Sequence, residues 1–238
     1  TIFEYADIKG EALAVPVSNI NPYLVDAPDL VLEKRNQPIC IVPTISYGSM
    51  ANDDGHLLLD KEQRNALIAA EPATAPYIRR YMGAQEFLNN AERWCLWLKD
   101  ISPSLMRSSN ELRHRIEAVR KFRASSNREA TRNLAATPSL FGEDRQPLKS
   151  YLLLPKVSSE NRPYMPIGFM PSEVIANGSA LTISDSGHYE MGVLQSKMHM
   201  AWMRAVAGRM KSDYQYSAQI VYNNFPWPDL PEKLEPNQ

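Results

Sequence analysis

The sequence predicts a mixed α+β fold in which a mainly antiparallel sheet is flanked by helices and a long helix lies near the C-terminus. Short apolar runs between turn-forming residues occupy 11–60 and 150–183 and are typical of strands. Segments with helix caps and helical apolar spacing lie between these regions and after them. Because the sequence has no internal repeat and no Gly- or Ser-rich linker, we expect a single domain.

Strands are predicted where short apolar runs are bounded by Pro, Asn, Asp or Gly. Asn52-Asp-Asp-Gly55 is a tight-turn signal just before one of these runs. The predicted strands cover 13–15, 30–32, 39–42, 57–59, 94–98, 150–154, 165–169 and 180–183.

Helices are predicted mainly from their caps. Asp60 caps the first, because its carboxylate can accept hydrogen bonds from the free backbone N–H groups at a helix start. Ser108 and Glu111 form a capping box for a longer helix, in which Leu112, Ile116 and Val119 make one buried stripe. The predicted helices cover 61–68, 75–82, the segment opened by Ser108, 129–136 and 188–211.

The predicted C-terminal helix over 188–211 buries one side and exposes another. Lys197, Arg204 and Lys211 recur every seven residues and would share the exposed side, because seven residues make close to two helical turns. The buried stripe is predicted to contain Met191, Leu194, Met198, Ala201, Trp202 and Ala205.

Composition places the chain among ordinary globular proteins. It has 238 residues, of which 44% are hydrophobic and 22% charged, and its net charge is −1, so a polyanionic partner would need positive charge clustered on one face. No run of about 18 apolar residues predicts a membrane helix, and Cys40 and Cys95 are expected to be free thiols. These features predict a cytoplasmic protein. The first residue is Thr1, which suggests a segment of a longer polypeptide or a processed chain.

Catalytic motifs are incomplete in this sequence. Asn21-Pro-Tyr23 lacks the second proline of the adenine-binding loop of amino-methyltransferases, and we interpret it as a turn. Pro28-Asp29 lacks the later acidic residue and lysine that a metal-dependent nuclease site needs. The four histidines do not have metal-ligand spacing, and no Gly-x-Ser-x-Gly elbow is present. We therefore expect no catalytic, cofactor-binding or metal site within this segment.

Positive charge is concentrated between Arg107 and Arg132. This stretch holds eight Arg or Lys against three acidic residues, although the whole chain is close to neutral. It includes Ser125-Ser-Asn-Arg128, whose small polar residues can approach phosphates closely. A solvated helix face and a DNA contact are equally compatible with this pattern. The candidate DNA-backbone contacts are Arg113, Arg120, Arg128, Lys197, Arg204 and Lys211.

Glu160 and Arg162 form a candidate pair for reading bases. They lie two residues apart, and on an extended backbone both side chains would project to the same face. Glutamate can accept a hydrogen bond from the N4 amine of cytosine, and arginine can donate to O6 and N7 of guanine. An ordinary surface ion pair is the alternative interpretation of the same pattern.

Several ordered sequence blocks resemble those of a known family. They cover 83–87, 93–97, 134–138, 155–160, 166–169 and 216–228, and the last ends in Val-Tyr-Asn-Asn-Phe-Pro-Trp-Pro. Together they resemble the target recognition domain of MmeI-like (Type IIL) DNA methyltransferases over nearly the whole chain. In these restriction–modification enzymes a single polypeptide carries nuclease, adenine methyltransferase and recognition parts.

The resemblance implies sequence-specific binding of double-stranded DNA. The domain would read bases in the major groove and present an adenine to the methyltransferase domain of the same polypeptide. Base readers would lie in 156–162, with Glu160 and Arg162 leading and Lys156, Ser158 and Asn161 beside them. The stretch 125–132 is a second candidate reader. S-adenosylmethionine would belong to the parent enzyme, with no cofactor in this segment.

These inferences divide the chain into three parts and leave two other functions open. We expect 1–10 to be a connecting segment, 11–223 to form the recognition domain and 224–238 to form a tail. A protein-interaction module would instead dock onto methyltransferase or nuclease subunits through 225–228 and the outward side chains of Met200 and Met203. A self-contained enzyme of unknown chemistry is the other alternative.

Overall fold

The computed structural model describes residues 1–7, 9–22, 24, 26–29 and 31–229. The strands in this part are β1 (Ile2–Tyr5), β2 (Ala12–Val15), β3 (Ile45–Tyr47), β4 (Leu58–Leu59), β5 (Ile78–Met82), β6 (Trp94–Leu96), β7 (Tyr151–Pro155), β8 (Val157–Ser158), β9 (Gly168–Met170), β10 (Ile175–Ala176), β11 (Ala180–Ser184), β12 (Gly208–Met210) and β13 (Asp213–Gln215). The α-helices are α1 (Lys61–Ala70), α2 (Ala84–Asn89), α3 (Pro103–Ser108), α4 (Asn110–Ala124), α5 (Glu129–Asn133), α6 (His188–Leu194) and α7 (Lys197–Val206). Shorter helical turns of other types cover Pro72–Tyr77, Leu134–Ala136 and Ala218–Tyr222.

The described strands form four small sheets, with the orders β1-β2, β10-β5-β6-β4, β3-β11-β7-β9 and β12-β13-β8. Neighbours are antiparallel throughout these sheets except for the parallel pair β10 and β5. The predicted α+β class with a mainly antiparallel sheet is therefore confirmed. β1 pairs with β2, so 1–10 contributes a strand to the N-terminal hairpin.

Three apolar cores hold the described part of the fold together, and β7 contributes residues to two of them. The first core joins β4 and β6 to helices α1, α3 and α4. The second joins the inner face of β7 and β11 to helices α6 and α7 and to the C-terminal aromatic residues. Leu152 and Leu154 of β7 pack in the second core, whereas Tyr151 and Leu153 pack on the opposite face with Met82 and Ala176. Successive strand residues point to opposite faces. An entirely buried β7 can therefore connect its own sheet to the sheet that contains β5 and β10.

Two glycines let the two large sheets meet closely at Asn177. A Cβ at Gly48 would lie 2.2 Å from the backbone oxygen of Asn177, and a Cβ at Gly83 would lie 2.1 Å from its side-chain nitrogen. Both distances are far below van der Waals contact. The atoms near Gly48 are backbone, so only glycine fits there, whereas a side chain at Gly83 would require the Asn177 side chain to move. The backbone of Asn177 also donates to the oxygen of Met82 at 2.8 Å, which ties β10 to β5.

Helix caps were predicted with mixed success. The predicted Asp60 cap of α1 is confirmed, because Asp60 accepts from the backbone of Gln63, and the Gln63 side chain accepts from the backbone of Asp60 in return. The predicted capping box of Ser108 and Glu111 is wrong, because Ser108 ends α3 and the cap of α4 is Ser109, whose hydroxyl accepts from the backbone N–H of Leu112 at 3.0 Å. The carboxylate at this helix start belongs to Glu71, which accepts from the Ser109 hydroxyl and from two backbone N–H groups. Prediction from the local sequence missed it because Glu71 is distant along the chain.

Three segments differ from their predicted secondary structure. The predicted helix 75–82 is wrong, since this stretch ends a 3₁₀ turn and then forms β5. The apolar run 39–42 is not a strand, and neither are Val31 and Leu32 of the predicted strand 30–32. Leu30 lies outside the described residues, as does Tyr23 of the predicted turn 21–23. The run 39–42 instead covers the C-terminal segment, with Ile39 donating its backbone N–H to Asn223 at 2.9 Å.

The single long helix predicted over 188–211 is also wrong. Helix α6 ends at Leu194, and Ser196 begins α7 by accepting a hydrogen bond from the backbone of His199 at 3.1 Å. The chain then turns into the hairpin β12–β13, so Lys211 lies on a turn rather than on a helix. A capping serine offers the backbone an alternative hydrogen bond, which explains the break.

The break changes which side chains of α7 are buried. Met200 and Met203 are buried, whereas Met198 is 50% exposed and Ala201 and Ala205 lie on the surface. The predicted stripe is therefore wrong for Met198, Ala201 and Ala205, because the helical phase restarts at Ser196. Met200 and Met203 therefore do not point outward as the predicted docking surface requires. Phe225 and Trp227 of the 225–228 motif are buried as well.

The C-terminal aromatic segment is held by the loop over 33–43. Asn224 donates through its amide to the oxygen of Glu33 and accepts from Arg35, each at 3.0 Å. Asn223 donates to the oxygen of Arg35 at 2.7 Å, and the Tyr222 hydroxyl donates to Pro43 at 2.6 Å. These bonds fix both segments on the second core. Residues 230–238 of the predicted tail lie outside the described part of the chain.

Candidate nucleic-acid interface

The predicted reading segment forms a tight turn after β8. The backbone N–H of Arg162 donates to the oxygen of Ser159 at 3.1 Å, and Glu160 and Asn161 occupy the turn between them. The prediction that Glu160 and Arg162 share a face on extended backbone is therefore wrong. The turn follows directly from Ser158, which pairs with Tyr214 of β13. A sheet edge thus supports the turn at its base.

Few contacts hold the two leading side chains of this turn. A carboxylate oxygen of Glu160 lies 3.9 Å from the guanidinium of Arg209, which is at the outer limit of an ion pair. Arg162 donates to the hydroxyl of the buried Ser158 at 3.5 Å, a long hydrogen bond. Both side chains are half-buried, and Asn161 is exposed. Weak intramolecular contacts leave these polar groups able to bind another molecule.

A cationic hairpin lies beside the turn. The guanidinium of Arg209 on β12 is 3.9 Å from the ring of Tyr214 and donates to the oxygen of Ser212 at 2.9 Å. Lys211 forms the hairpin tip with a positive φ of 59° and is exposed. Because Ser158 faces Tyr214 in the antiparallel register, continuing both chains brings the tip towards Glu160. Arg209 was not predicted as a site residue, because the predicted helix over 188–211 did not indicate that it lies near Glu160.

Lys156 is directed towards a different group of residues. Its ammonium lies 4.9 Å from the centroid of the Tyr47 ring and donates to the oxygen of Gly178 at 3.3 Å. Its backbone donates to Ser179 at 3.2 Å and accepts from Tyr216 at 2.7 Å. The sequence placed Lys156 with Glu160 and Arg162, but the fold places its side chain at the edge strand β3.

The cationic stretch 107–132 separates into inward and outward residues. Arg113 and Arg120 are exposed on α4, where Arg113 donates to Asn110 at 2.9 Å and Arg120 lies 3.8 Å from Glu117. Arg128 is exposed at the start of α5. Arg115 bonds to Glu111 and to the backbone oxygen of His56 instead. The second predicted reader, 125–132, is a bend and a short helix, in which Arg132 donates to the oxygen of Ser126.

Arg123 has a structural role that the sequence analysis missed. Its guanidinium is fully buried and donates to five backbone oxygens at 2.7–3.0 Å. The acceptors are the backbone oxygens of Ala51, Asn52, Leu134, Thr137 and Leu140. Burial lowers the pKa of this guanidinium, yet five carbonyl dipoles compensate its charge. The spacing of the apolar residues on α4 was the sequence signal for this burial. Position 123 continues the buried stripe of Leu112, Ile116 and Val119.

Helix α7 carries two of the predicted backbone contacts. Lys197 and Arg204 are both exposed and lie seven residues apart on this helix. They therefore share one side of α7. Lys211 does not extend this row, because the chain leaves the helix at Val206.

One buried polar pair lies beneath α7. His199 is fully buried, and its Nε2 is 3.0 Å from the hydroxyl of Tyr216. Burial lowers the pKa of His199 to about 4 and raises that of Tyr216, so the imidazole is neutral at pH 7. The ring also packs edge-on against Phe225 at 4.5 Å. We interpret this pair as part of the second core.

Metal-ligand clusters, membrane-spanning helices and disulfides are absent from the described residues. No group of three or more His, Cys, Asp and Glu side chains among them is placed to hold a metal ion. None of the helices in the described ranges is both long and apolar enough to cross a membrane. Cys40 and Cys95 are free thiols, and Cys95 is buried.

Comparisons with known proteins identify the family of this chain. Residues 26–229 match the family model described as MmeI, target recognition domain. DNA methyltransferase A of Bacillus subtilis (strain 168) is 38% identical over 214 residues, which are 90% of this chain and 24% of that protein. The solved structure of the Type IIL restriction-modification enzyme MmeI in complex with DNA superposes with a TM-score of 0.92 at 44% identity, over 98% of this chain and 31% of that chain. This chain spans only a quarter to a third of the length of these two relatives. The chain belongs to the MmeI target recognition domain family.

Proposed function

We propose that this chain binds double-stranded DNA in a sequence-specific way, as the target recognition domain of an adenine-N6 DNA methyltransferase or restriction–modification enzyme. The observation that carries this proposal is the match in fold and sequence, at a TM-score of 0.92 and 44% identity, to an enzyme whose structure was solved in complex with DNA. The turn at Glu160–Arg162 adds a local reason, because it offers an acceptor and a bidentate donor on a supported backbone.

Base reading in this proposal belongs to the turn. Glu160 accepts from a base amine, Arg162 donates to a guanine edge, and the exposed Asn161 lies between them. Ser158 is buried, so its contribution is to orient Arg162 through its hydroxyl. Lys156 remains part of the reading segment, although its side chain lies towards Tyr47.

Affinity belongs to exposed cations that contact phosphates. Such contacts position a protein on the duplex and release counterions, which makes binding depend on salt. The proposed backbone contacts are Arg113, Arg120, Arg128, Lys197, Arg204 and Lys211, all of which are exposed. The second candidate reader, 125–132, would contribute Arg128 and its exposed neighbour Asn127.

The chemistry in this proposal belongs to the rest of the enzyme. The methyltransferase domain of the same polypeptide would bind S-adenosylmethionine and methylate an adenine that this domain helps to present. Such an enzyme acts on the DNA of its own cell, so we place it in the cytoplasm. The protein-interaction alternative loses its support, since Met200, Met203, Phe225 and Trp227 are buried.

Selection from a pool of random duplexes tests the proposal. The 238-residue chain is incubated with the pool at low salt, and the bound duplexes are separated, amplified and sequenced over several rounds. We expect one shared motif to become enriched and the retained fraction to fall as salt rises. Recovery of duplexes with the same base composition as the input, at every salt concentration, would contradict sequence-specific binding.

A further inference from the structure

A half-exposed tyrosine with two cations at its ring lies on the edge strand β3. Tyr47 is 41% exposed at the end of the edge strand β3. The ammonium of Lys156 is 4.9 Å from the ring centroid, and the guanidinium carbon of Arg145 is 5.9 Å from it. We call Tyr47, Arg145 and Lys156 the tyrosine patch. Residues far apart in the sequence therefore meet at one surface position.

The backbone positions of the tyrosine patch are fixed by the sheet. Tyr47 pairs with Leu181 of β11, next to β7. The backbone of Arg145 donates to the hydroxyl of the buried Ser49 at 3.0 Å. Lys156 follows β7 and is bonded through its backbone to Ser179 and Tyr216. A site built on such rigid elements holds its groups in place before a ligand arrives.

The charges of the tyrosine patch are only partly compensated. Arg145 pairs with Glu143. No carboxylate of the described residues lies within ion-pair distance of Lys156, whose contacts are the Tyr47 ring and the oxygen of Gly178. Two cations near one ring repel each other, and an anion between or beside them would relieve that repulsion. The patch therefore favours an anionic ligand.

The chemistry of the patch matches a nucleic-acid backbone. Arginine, lysine and the tyrosine hydroxyl are side chains that bind phosphate oxygens. Lys156 lies only four residues before Glu160, so a duplex whose bases reach the turn would bring a phosphate near the patch. The hairpin carrying Arg209 and Lys211 pairs with β8, which connects Lys156 to the turn.

We propose that Tyr47, Arg145 and Lys156 together bind a backbone phosphate of the duplex beside the reading turn, and that Lys156 thereby positions the DNA instead of reading a base. This inference rests on the proposed function. It adds two residues that the sequence analysis did not select, and it changes the role of a third.

The salt dependence of DNA binding tests this proposal. Binding constants of the 238-residue chain for its selected duplex and for an unrelated duplex are measured by fluorescence anisotropy between low and physiological salt. Lys156→Gln should lower affinity for both duplexes by the same factor, and the slope of log K against log salt should decrease in magnitude by about 0.9. Lys156→Arg should keep the slope, and Tyr47→Phe should weaken both duplexes equally.

Lys149→Ala is the matched control, because Lys149 is an exposed lysine on the same domain that already lies 3.7 Å from Asp185. It should leave both affinities and the slope unchanged. Thermal unfolding of each variant identifies any that fail to fold, and Lys156→Arg and Tyr47→Phe make the smallest changes in packing.

The possible outcomes separate this proposal from the function on which it rests. If Lys156→Gln binds as the wild type does, the phosphate site is wrong and DNA recognition stands. If it loses affinity only for duplexes with one particular base at one position, Lys156 reads that base and the inference is overturned. If the wild-type chain binds neither duplex at any salt concentration, the proposed function fails and the phosphate site fails with it.

Discussion

Arg123 and Arg162 place the same side chain in two opposite environments. Arg123 is fully buried on α4 and donates to five backbone oxygens, whereas Arg162 lies on a surface turn with one long hydrogen bond of 3.5 Å. The first joins three segments of the scaffold, and the second has donors left for a ligand. The difference shows that positive charge indicates DNA contact in this chain only when burial and bonding leave the charge available.

This comparison implies that stability and recognition reside in separate residues. Changes at buried polar groups should affect unfolding first, and changes at the turn should affect binding with little effect on unfolding.

Replacing Arg123 should give the largest effect. Arg123→Ala removes five hydrogen bonds and leaves buried carbonyls without donors, so we expect the free energy of unfolding to fall by about 3–5 kcal/mol. Urea unfolding followed by circular dichroism measures this change. Arg120→Ala on the exposed side of the same helix is the control and should change stability by less than about 0.5 kcal/mol. Equal effects of the two variants would contradict the structural role of Arg123.

Acidification should weaken the fold through His199. Its pKa is about 4 in the fold and about 6.5 in the unfolded chain, so the unfolded state binds more protons between these values. The stabilisation is fully present above pH 6.5 and is lost as the pH falls towards 4, at a total on the order of 3 kcal/mol.

Comparing urea unfolding of the wild type and His199→Gln at several pH values isolates this contribution. Carboxylates titrate in both proteins, so the difference between them belongs to His199. We expect the stability difference between the two proteins to shrink as the pH falls from 7 to 4.5. A difference that stays constant over this range would show that the imidazole does not titrate as its burial implies.

Replacing Arg162 should change specificity. Arg162→Ala removes the bidentate donor, so we expect the preference at one base position to relax by about 1–3 kcal/mol. Binding to the selected duplex and to its single-base variants, measured by competition, gives this number. The same variant should unfold within about 0.5 kcal/mol of the wild type, because the lost hydrogen bond is long and half-exposed. An unchanged preference at every position would remove Arg162 from the reading set.

Replacing Arg204 should give the smallest effect. This residue is exposed on α7, so Arg204→Ala should weaken binding to all duplexes by a similar factor. The slope of log K against log salt should decrease in magnitude by about 0.9, the value for one phosphate contact. Arg204→Lys keeps the charge and should restore most of the salt dependence. A loss confined to one sequence would instead make Arg204 a base reader.

Much of the fold could be predicted because its local signals agree with its tertiary contacts. Asp60 caps α1 as expected, and Leu112, Ile116 and Val119 face the core as their spacing predicted. Arg123 was not selected as a core residue, because charged residues are almost never fully buried. Only the carbonyls that surround it, contributed by loops on either side, make its burial possible.

The errors near the C-terminus have a different cause. An amphipathic helix also contains short polar stretches such as Gln195-Ser-Lys197, so Ser196 gave no clear signal for the break. The loop over 33–43 is fixed by Asn223 and Asn224, which are far away in sequence. The reading residues were selected through family resemblance, since a Glu-x-Arg pattern alone does not distinguish a base reader from a surface ion pair.

Exchanging the two charges of the turn tests whether Glu160 and Arg162 read a base pair. The double variant Glu160→Arg with Arg162→Glu is selected against the random duplex pool in parallel with the wild type, and both proteins are unfolded in urea. We expect a motif that differs from the wild-type motif at one base pair, where donor and acceptor are reversed, with stability unchanged within about 0.5 kcal/mol. An identical motif from both proteins would contradict base reading by this turn.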